Sequence, residues 1–99
     1  MRDVSRMEAK IAEVLREAGH LHHAVYRITD GADDDWASWY TDWLLNLSEL
    51  PQLLGTTPVR SHLVHALVEL ERAHRGSPEP WDEAYARELV ERFASPDYT

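Results

Sequence analysis

Histidine is the residue type in this chain best suited to chemistry, and three histidines fall within four positions in the string "HLHH". Neutral imidazole binds metals, and its pKa near neutrality suits general acid–base catalysis. In a helix, however, successive residues are rotated by about 100°. His22 then lies at the edge of the apolar stripe, while His20 and His23 lie on nearly the opposite side. The spacing therefore predicts that the three imidazoles scatter around one helix.

Two E-x-x-H pairs match the spacing that di-iron helical bundles use. They are Glu17 with His20 and Glu71 with His74. Glu17 and His20 straddle the flank and the solvent side of their helix, and Glu71 is off-centre on its own. The chain has no cysteine, which excludes thiolate zinc sites, cysteine nucleophiles and disulfides. We predict no metal site and no cofactor.

Other catalytic signatures are absent from the sequence: there is no glycine-rich phosphate loop, no nucleophile elbow and no zincin motif. Acid–base chemistry would have to be assembled from His22, Asp30, Asp34, Tyr40 and His74. These five would meet at the end of a bundle where the first helix leads into the second and the third into the fourth. The sequence favours a protein that is not an enzyme, and these residues are the catalytic candidates of the alternative.

Apolar residues recur at spacings of three and four along most of the chain, which is the period of an amphipathic helix. The pattern predicts helices over about 3–28, 34–48, 58–75 and 80–94, with one extra turn opened by Pro51 and stopped by Gly55. No segment alternates with period two. With short loops, this predicts an all-α, compact, four-helix bundle-like domain over residues 1–99.

Each predicted helix has an expected inner face. In chain order these faces are Val4, Met7, Ile11, Val14, Ala18, Leu21, Val25 and Ile28; Trp36, Tyr40, Trp43, Leu44 and Leu47; Val59, Leu63, Ala66, Leu67 and Leu70; and Trp81, Tyr85, Leu89 and Phe93. Gly19 interrupts the first helix at a cost of about 1 kcal/mol relative to alanine. We expect it either to kink the helix or to admit a close neighbour.

The string "DWASWYTDWLL" is the most distinctive in the chain. Large aromatic residues at helical spacing favour a role in the core, with their polar atoms at its edge. The alternative is a pocket for a flat ligand whose walls are Trp36, Tyr40, Trp81 and Tyr85.

Five further apolar residues lie off the main stripes of the last three helices: Trp39, Leu45, Val64, Val68 and Val90. Single exposed apolar residues are ordinary, but this number in a small domain indicates a second buried face. A symmetric dimer is the commonest way to cover such a face. We predict an interface built on these residues.

The net charge of −8 excludes ordinary binding to nucleic-acid phosphates. Mimicry of nucleic acid stays open, although arginines are interspersed with the carboxylates. The charged N-terminal segment does not fit a signal peptide, and no apolar run approaches a membrane span, so we expect a cytoplasmic protein without membrane contact. Nine of the ten basic residues are arginine, which is typical of GC-rich bacterial genomes.

From "DGADDDWASWYTDWLL" to "EPWDEAYARELVERF", about two-thirds of the chain resembles uncharacterised small all-α bacterial proteins with an acidic turn followed by a W-x-x-W-Y string. The resemblance implies a helical fold and brings no activity, cofactor or catalytic residue with it. The sequence thus favours a helical protein-interaction or regulatory module that is homodimeric. A small enzyme or ligand-binding bundle and an acidic nucleic-acid mimic are the alternatives.

Overall fold

Five helices make up the described part of the chain, which covers residues 4–27, 36–94 and 98 of a computed structural model. They are α1 (Val4–Arg27), α2 (Trp36–Asn46), α3 (Leu50–Leu54), α4 (Arg60–His74) and α5 (Trp81–Phe93). These residues contain no strand, so the predicted all-α class is confirmed. The Cα radius of gyration of 13.2 Å matches the roughly 13 Å expected of a compact domain of this length.

Ser48 joins the end of α2 to the start of α3. Its hydroxyl donates a hydrogen bond to the Leu44 carbonyl (2.6 Å) and accepts one from the Leu50 N–H (3.1 Å). Both backbone groups would otherwise lack a partner at a helix end. Gly55 ends α3 with a φ of 77°, in the left-handed region that favours glycine. The extra turn over 50–54 is therefore the one predicted from Pro51 and Gly55.

Helix α4 begins at Arg60, two residues later than the sequence predicts. Val59 is extended, with φ −64° and ψ 134°. Its N–H donates a 2.7 Å hydrogen bond to the hydroxyl of Tyr98, which also lies 3.1 Å from the His62 Nδ1. The hydroxyl of a residue 39 positions away thus accepts the hydrogen bond from the backbone N–H of Val59, just before the first residue of α4. Val59 is exposed, which corrects its assignment to the inner face.

The core is formed mainly by leucine, isoleucine and alanine. The fully buried large side chains are Ile11, Leu15, Leu44, Leu50, Leu54, Leu63, Leu67, Leu70 and Leu89. In α1 the buried face is wider than the predicted inner face. Ala12 and Leu15 are buried in addition to Ile11, Val14 and Ala18. Helix α1 packs most extensively against α5 and also contacts α2 and α3, so it needs more than one apolar stripe. Leu21 is exposed, contrary to prediction.

Helix α2 is rotated relative to its predicted orientation. Its buried residues are Ala37, Thr41 and Leu44, while the aromatic residues on either side are only half-buried. The buried face of α2 thus includes two small side chains, Ala37 and Thr41, between the larger aromatic residues. Leu47 follows the end of the helix and is 74% exposed, so its place on the inner face is also corrected.

The predicted interface residues differ in burial. Val90 is only 8% exposed and belongs to the core. Leu45, Val64 and Val68 are half-buried and pack against the core, and Trp39 is also half-buried. Four of the five therefore keep part of their surface exposed, and the interface stays a prediction.

The α1–α5 contact has a polar and a steric component. The Arg16 guanidinium donates a 2.7 Å hydrogen bond to the Asp82 carboxylate, whose side chain is 8% exposed. Gly19 faces the Trp81 ring: a Cβ placed on this glycine would lie 3.3 Å from Cζ2 of Trp81. Helix α1 runs through Gly19 without a break, so the glycine serves the close neighbour and not a kink.

Candidate binding site

A cavity of about 200 Å³ is enclosed by α1, α2, α4 and α5. It is lined by two aliphatic and four aromatic side chains: Leu15, Leu67, Trp36, Tyr40, Trp81 and Tyr85. The four aromatic residues are those that the sequence nominates as pocket walls, and the structure brings all four to one cavity. Trp81 is 41% exposed and Tyr85 only 8%, so the cavity extends from the surface inward.

The rings form two right-angled corners. Trp36 and Tyr40 have centroids 6.0 Å apart and planes at 80°, and Trp81 and Tyr85 have centroids 5.4 Å apart and planes at 82°. Both are edge-to-face pairs, an arrangement that the aromatic quadrupole favours. In each pair the residues are four apart on one helix, which places them on the same face one turn from each other. The cavity is thus walled by one corner from α2 and one from α5.

Gly19 brings α1 close to both corners. A Cβ on this residue would lie 3.3 Å from the Trp81 ring and 3.7 Å from the Tyr40 hydroxyl. Tyr40 and Trp81 therefore approach each other over the same glycine. A larger residue here would push against both rings, so the glycine helps set the width of the cavity.

Both tyrosines stay neutral at physiological pH. Burial raises the pKa of Tyr40 above its ordinary value of 10.0. The pKa of Tyr85 is raised first by burial, then by the negative charge of Glu71 and by Tyr40. The Glu71 carboxylate is held by Arg75 through hydrogen bonds of 3.0 and 2.6 Å.

The catalytic candidates do not converge on this cavity as a group. The ring of His22 lies with its centroid 5.0 Å from those of Trp39 and Tyr40, and His74 lies 6.3 Å from Tyr85. Both imidazoles thus lie next to a tyrosine of the cavity but are not among its lining residues. Asp30 and Asp34 are outside the described residues. Among the candidates that the structure describes, Tyr40 alone has a side chain that lines the cavity.

The remaining histidines lie apart from the cavity. His20 and His23 are exposed, as the helical spacing predicts, and His22 is half-buried. Among the described side chains, no three of His, Asp and Glu are arranged to hold a metal ion. In one of the two E-x-x-H pairs, both Glu71 carboxylate oxygens accept hydrogen bonds from Arg75.

Several carboxylates on the surface are neutralised by arginine. The pairs are Asp42 with Arg60, Glu69 with Arg92, Glu71 with Arg75 and Glu79 with Arg87. In each pair the hydrogen bond from the guanidinium is the main cause that lowers the pKa of the carboxyl. These four carboxylates therefore stand beside a positive charge, while the net charge of the chain stays at −8.

A second depression, of about 310 Å³, lies beside α1 and the start of α5. Its lining is mainly polar and charged, and includes Glu8, Glu13, Arg16 and Glu83. Glu13, Arg16 and Glu83 are exposed. Charged groups that remain in water offer a ligand little gain in desolvation, so the aromatic cavity is the stronger site.

The sequence analysis did not predict two of the residues that line the aromatic cavity. Leu15 directly follows Val14, but the predicted inner face of the first helix was too narrow to include it. Leu67 was predicted to be buried but not to form a wall. The signal that could have identified Leu15 is its spacing: it lies three and four residues before Ala18 and Gly19, on the face that the glycine opens to Trp81.

Comparison with known proteins adds no relative. No protein-family model matches the chain, and no curated protein or solved structure is significantly similar to it. Within the described ranges, no helix has both the length and the apolar character needed to cross a membrane.

Proposed function

We propose that this protein binds a small molecule in the cavity between the aromatic corners of α2 and α5. One observation carries the proposal: four aromatic side chains from helices far apart in sequence surround one cavity that opens beside Trp81. Ligand sites are typically concave and mostly apolar, with a few polar groups at defined positions. The Tyr40 and Tyr85 hydroxyls supply such groups, and the longer helices serve as a four-helix, bundle-like scaffold.

The volume limits the size of the ligand. Pockets for drug-sized molecules have volumes of about 300–1,000 Å³, whereas this cavity holds about 200 Å³. It suits a single ring or one compact branched group. The rest of a larger molecule would have to extend past Trp81 into solvent.

Binding is favoured over catalysis by the positions of the titratable groups. A general acid or base must come within about 2.6–3.2 Å of the proton that it transfers. His22 and His74 lie next to Tyr40 and Tyr85, at ring-centroid separations of 5.0 and 6.3 Å. A ligand in the cavity would meet the rings before it met either imidazole, which supports a protein that is not an enzyme.

The test is a titration monitored through the indole N–H signals of the ¹⁵N-labelled protein. Indole, phenol and 3,3-dimethylbutan-1-ol serve as probes of compact size. We expect the signals of Trp36 and Trp81 to shift saturably, and the signal of Trp43, which does not line the cavity, to stay in place. The variant Trp81→Ala should weaken binding, whereas Leu47→Ala should not. Equal shifts at all tryptophans, or none with any probe, would contradict the proposal.

Self-association is a second candidate, as expected for a protein-interaction module. It is supported by two exposed apolar residues close to helix ends: Leu47 after α2 and Val59 before α4. Sedimentation velocity over a hundredfold range of concentration tests it. We expect a dimer that Leu47→Gln together with Val59→Thr disperses. A wild-type monomer at every concentration would contradict it.

A further inference from the structure

We infer that the ligand of the aromatic cavity is a compact alkylated ammonium ion, such as the trimethylammonium group of a small molecule. The inference rests on the proposed function and adds the chemical class of the ligand. It is carried by the two ring corners, by the absence of any cationic side chain among the six lining residues, and by the net negative charge of the protein.

The walls present π systems from two directions. A cation within about 6 Å of an aromatic centroid is attracted by the negative face of the ring, most strongly by tryptophan. Each corner holds one tryptophan and one tyrosine with perpendicular planes. A roughly spherical group between two such corners touches several rings at once. A flat ligand, by contrast, stacks best between parallel rings, and the described pairs are not parallel.

The charge of the whole protein favours a cation over a neutral group of the same shape. The net charge is −8. A positive ligand therefore gains a favourable long-range interaction, while an anion would be repelled.

Inorganic cations do not fit this site. They prefer oxygen ligands, and none of the six described lining residues carries a carboxylate. An alkylated ammonium ion holds its hydration water weakly and has an apolar surface, so it suits walls of leucine and aromatic rings. A volume of about 200 Å³ admits one such head group.

The decisive experiment compares choline with 3,3-dimethylbutan-1-ol, its uncharged isostere, in the same indole N–H titration. We expect choline to bind about tenfold more tightly, which corresponds to about 1.4 kcal/mol of cation–π and charge interaction. Added sodium chloride should weaken the binding of choline and leave that of the isostere unchanged. Equal affinities, or tighter binding of the alcohol, would overturn the inference while leaving the proposed function intact. If neither choline, the alcohol, indole nor phenol binds, the proposed function itself fails.

A substitution at Trp81 distinguishes the effect of the aromatic π system from the effect of side-chain size. Trp81→Leu keeps an apolar side chain but removes the π system, and we expect it to reduce choline affinity about tenfold and affinity for the alcohol at most twofold. Trp81→Phe should restore part of the difference. Trp43→Leu is the control and should change neither affinity. Unchanged far-ultraviolet circular dichroism checks that each variant folds, which the exposure of Trp81 favours.

A final arm identifies the source of the ammonium group. Phosphatidylcholine vesicles present the same head group at a membrane surface. Capture of the vesicles without binding of free choline would overturn the assignment to a small molecule, whereas binding of free choline alone supports it.

Discussion

The replacement Gly19→Ala tests the packing at the edge of the cavity, because two effects of known sign oppose each other there. Alanine in a helix interior is favoured over glycine by about 1 kcal/mol. The added Cβ would lie 3.3 Å from Cζ2 of Trp81, where ordinary carbon contacts lie at about 3.5–4.0 Å. The ring must therefore move by a few tenths of an ångström. Because Trp81 is 41% exposed, we expect this movement to cost less than the helix gains.

The expected net result is a stabilisation of about 0.5 kcal/mol, or roughly 2–4 °C in Tm for a domain of this size. Urea unfolding monitored by circular dichroism measures the free energy, and tryptophan fluorescence reports whether the ring has moved. Gly76→Ala is the matched control. Gly76 has nothing within 4 Å but has a φ of +79°, so the same change should destabilise by about 1 kcal/mol. If Gly19→Ala destabilises by more than about 1 kcal/mol, Trp81 is held rigidly, and the reasoning about an adjustable wall is wrong.

Three further predictions concern polar groups. Asp82→Asn should lower the free energy of unfolding by about 1–2 kcal/mol in urea denaturation, because it weakens the buried end of the contact with Arg16. Thr41→Val should leave stability unchanged or raise it by about 1 kcal/mol, since the buried Thr41 hydroxyl has no hydrogen-bond partner among the described residues. Stability should also fall in acid. The hydrogen bond from Arg87 holds the pKa of Glu79 below its ordinary value of 4.5, so the unfolded chain binds the proton more readily. The contribution is complete above about pH 4.5 and is lost as pH falls through the lower folded-state pKa, which thermal melts between about pH 6 and 3 measure.

Controls exist for each of these. Asp42→Asn removes a similar carboxylate, but one that is exposed, and should leave stability nearly unchanged. A loss equal to that of Asp82→Asn would refute the role of burial. Thr41→Ser keeps the hydroxyl and removes a buried methyl group, so it should destabilise; stabilisation by serine and not by valine would contradict the explanation. High salt should flatten the acid dependence, because the carboxylates concerned are exposed.

Helix positions were largely predictable because they depend on local pattern. Gly55 and Gly76 both have positive φ and follow the ends of α3 and α4, as turn chemistry predicts. The start of α4 was misplaced by two residues, because Val59 is extended. Its N–H donates to the hydroxyl of Tyr98, a contact across 39 residues that no local pattern indicates.

Helix orientation was less predictable. The large aromatics of α2 suggested the buried face, but the most buried residues of this helix include the small Ala37 and Thr41. Hydrophobicity ranks such residues low, so the pattern misjudged the rotation of the helix. The same rotation left Trp36 and Tyr40 at the cavity instead of fully inside the core. The aromatic grouping could be proposed from spacing, whereas the cavity required the actual packing of α1 against α5.

The extensive contact between α1 and α5 has a consequence during synthesis. The apolar face that includes Ile11, Leu15 and Ala18 is made first, and its main partner, beginning at Trp81, is made last. At about 5–20 residues per second, the ribosome needs roughly 3–13 s to cover this interval. During that time the apolar face of α1 lacks its main partner. The contact between α1 and α5 can form only after α5 has left the exit tunnel.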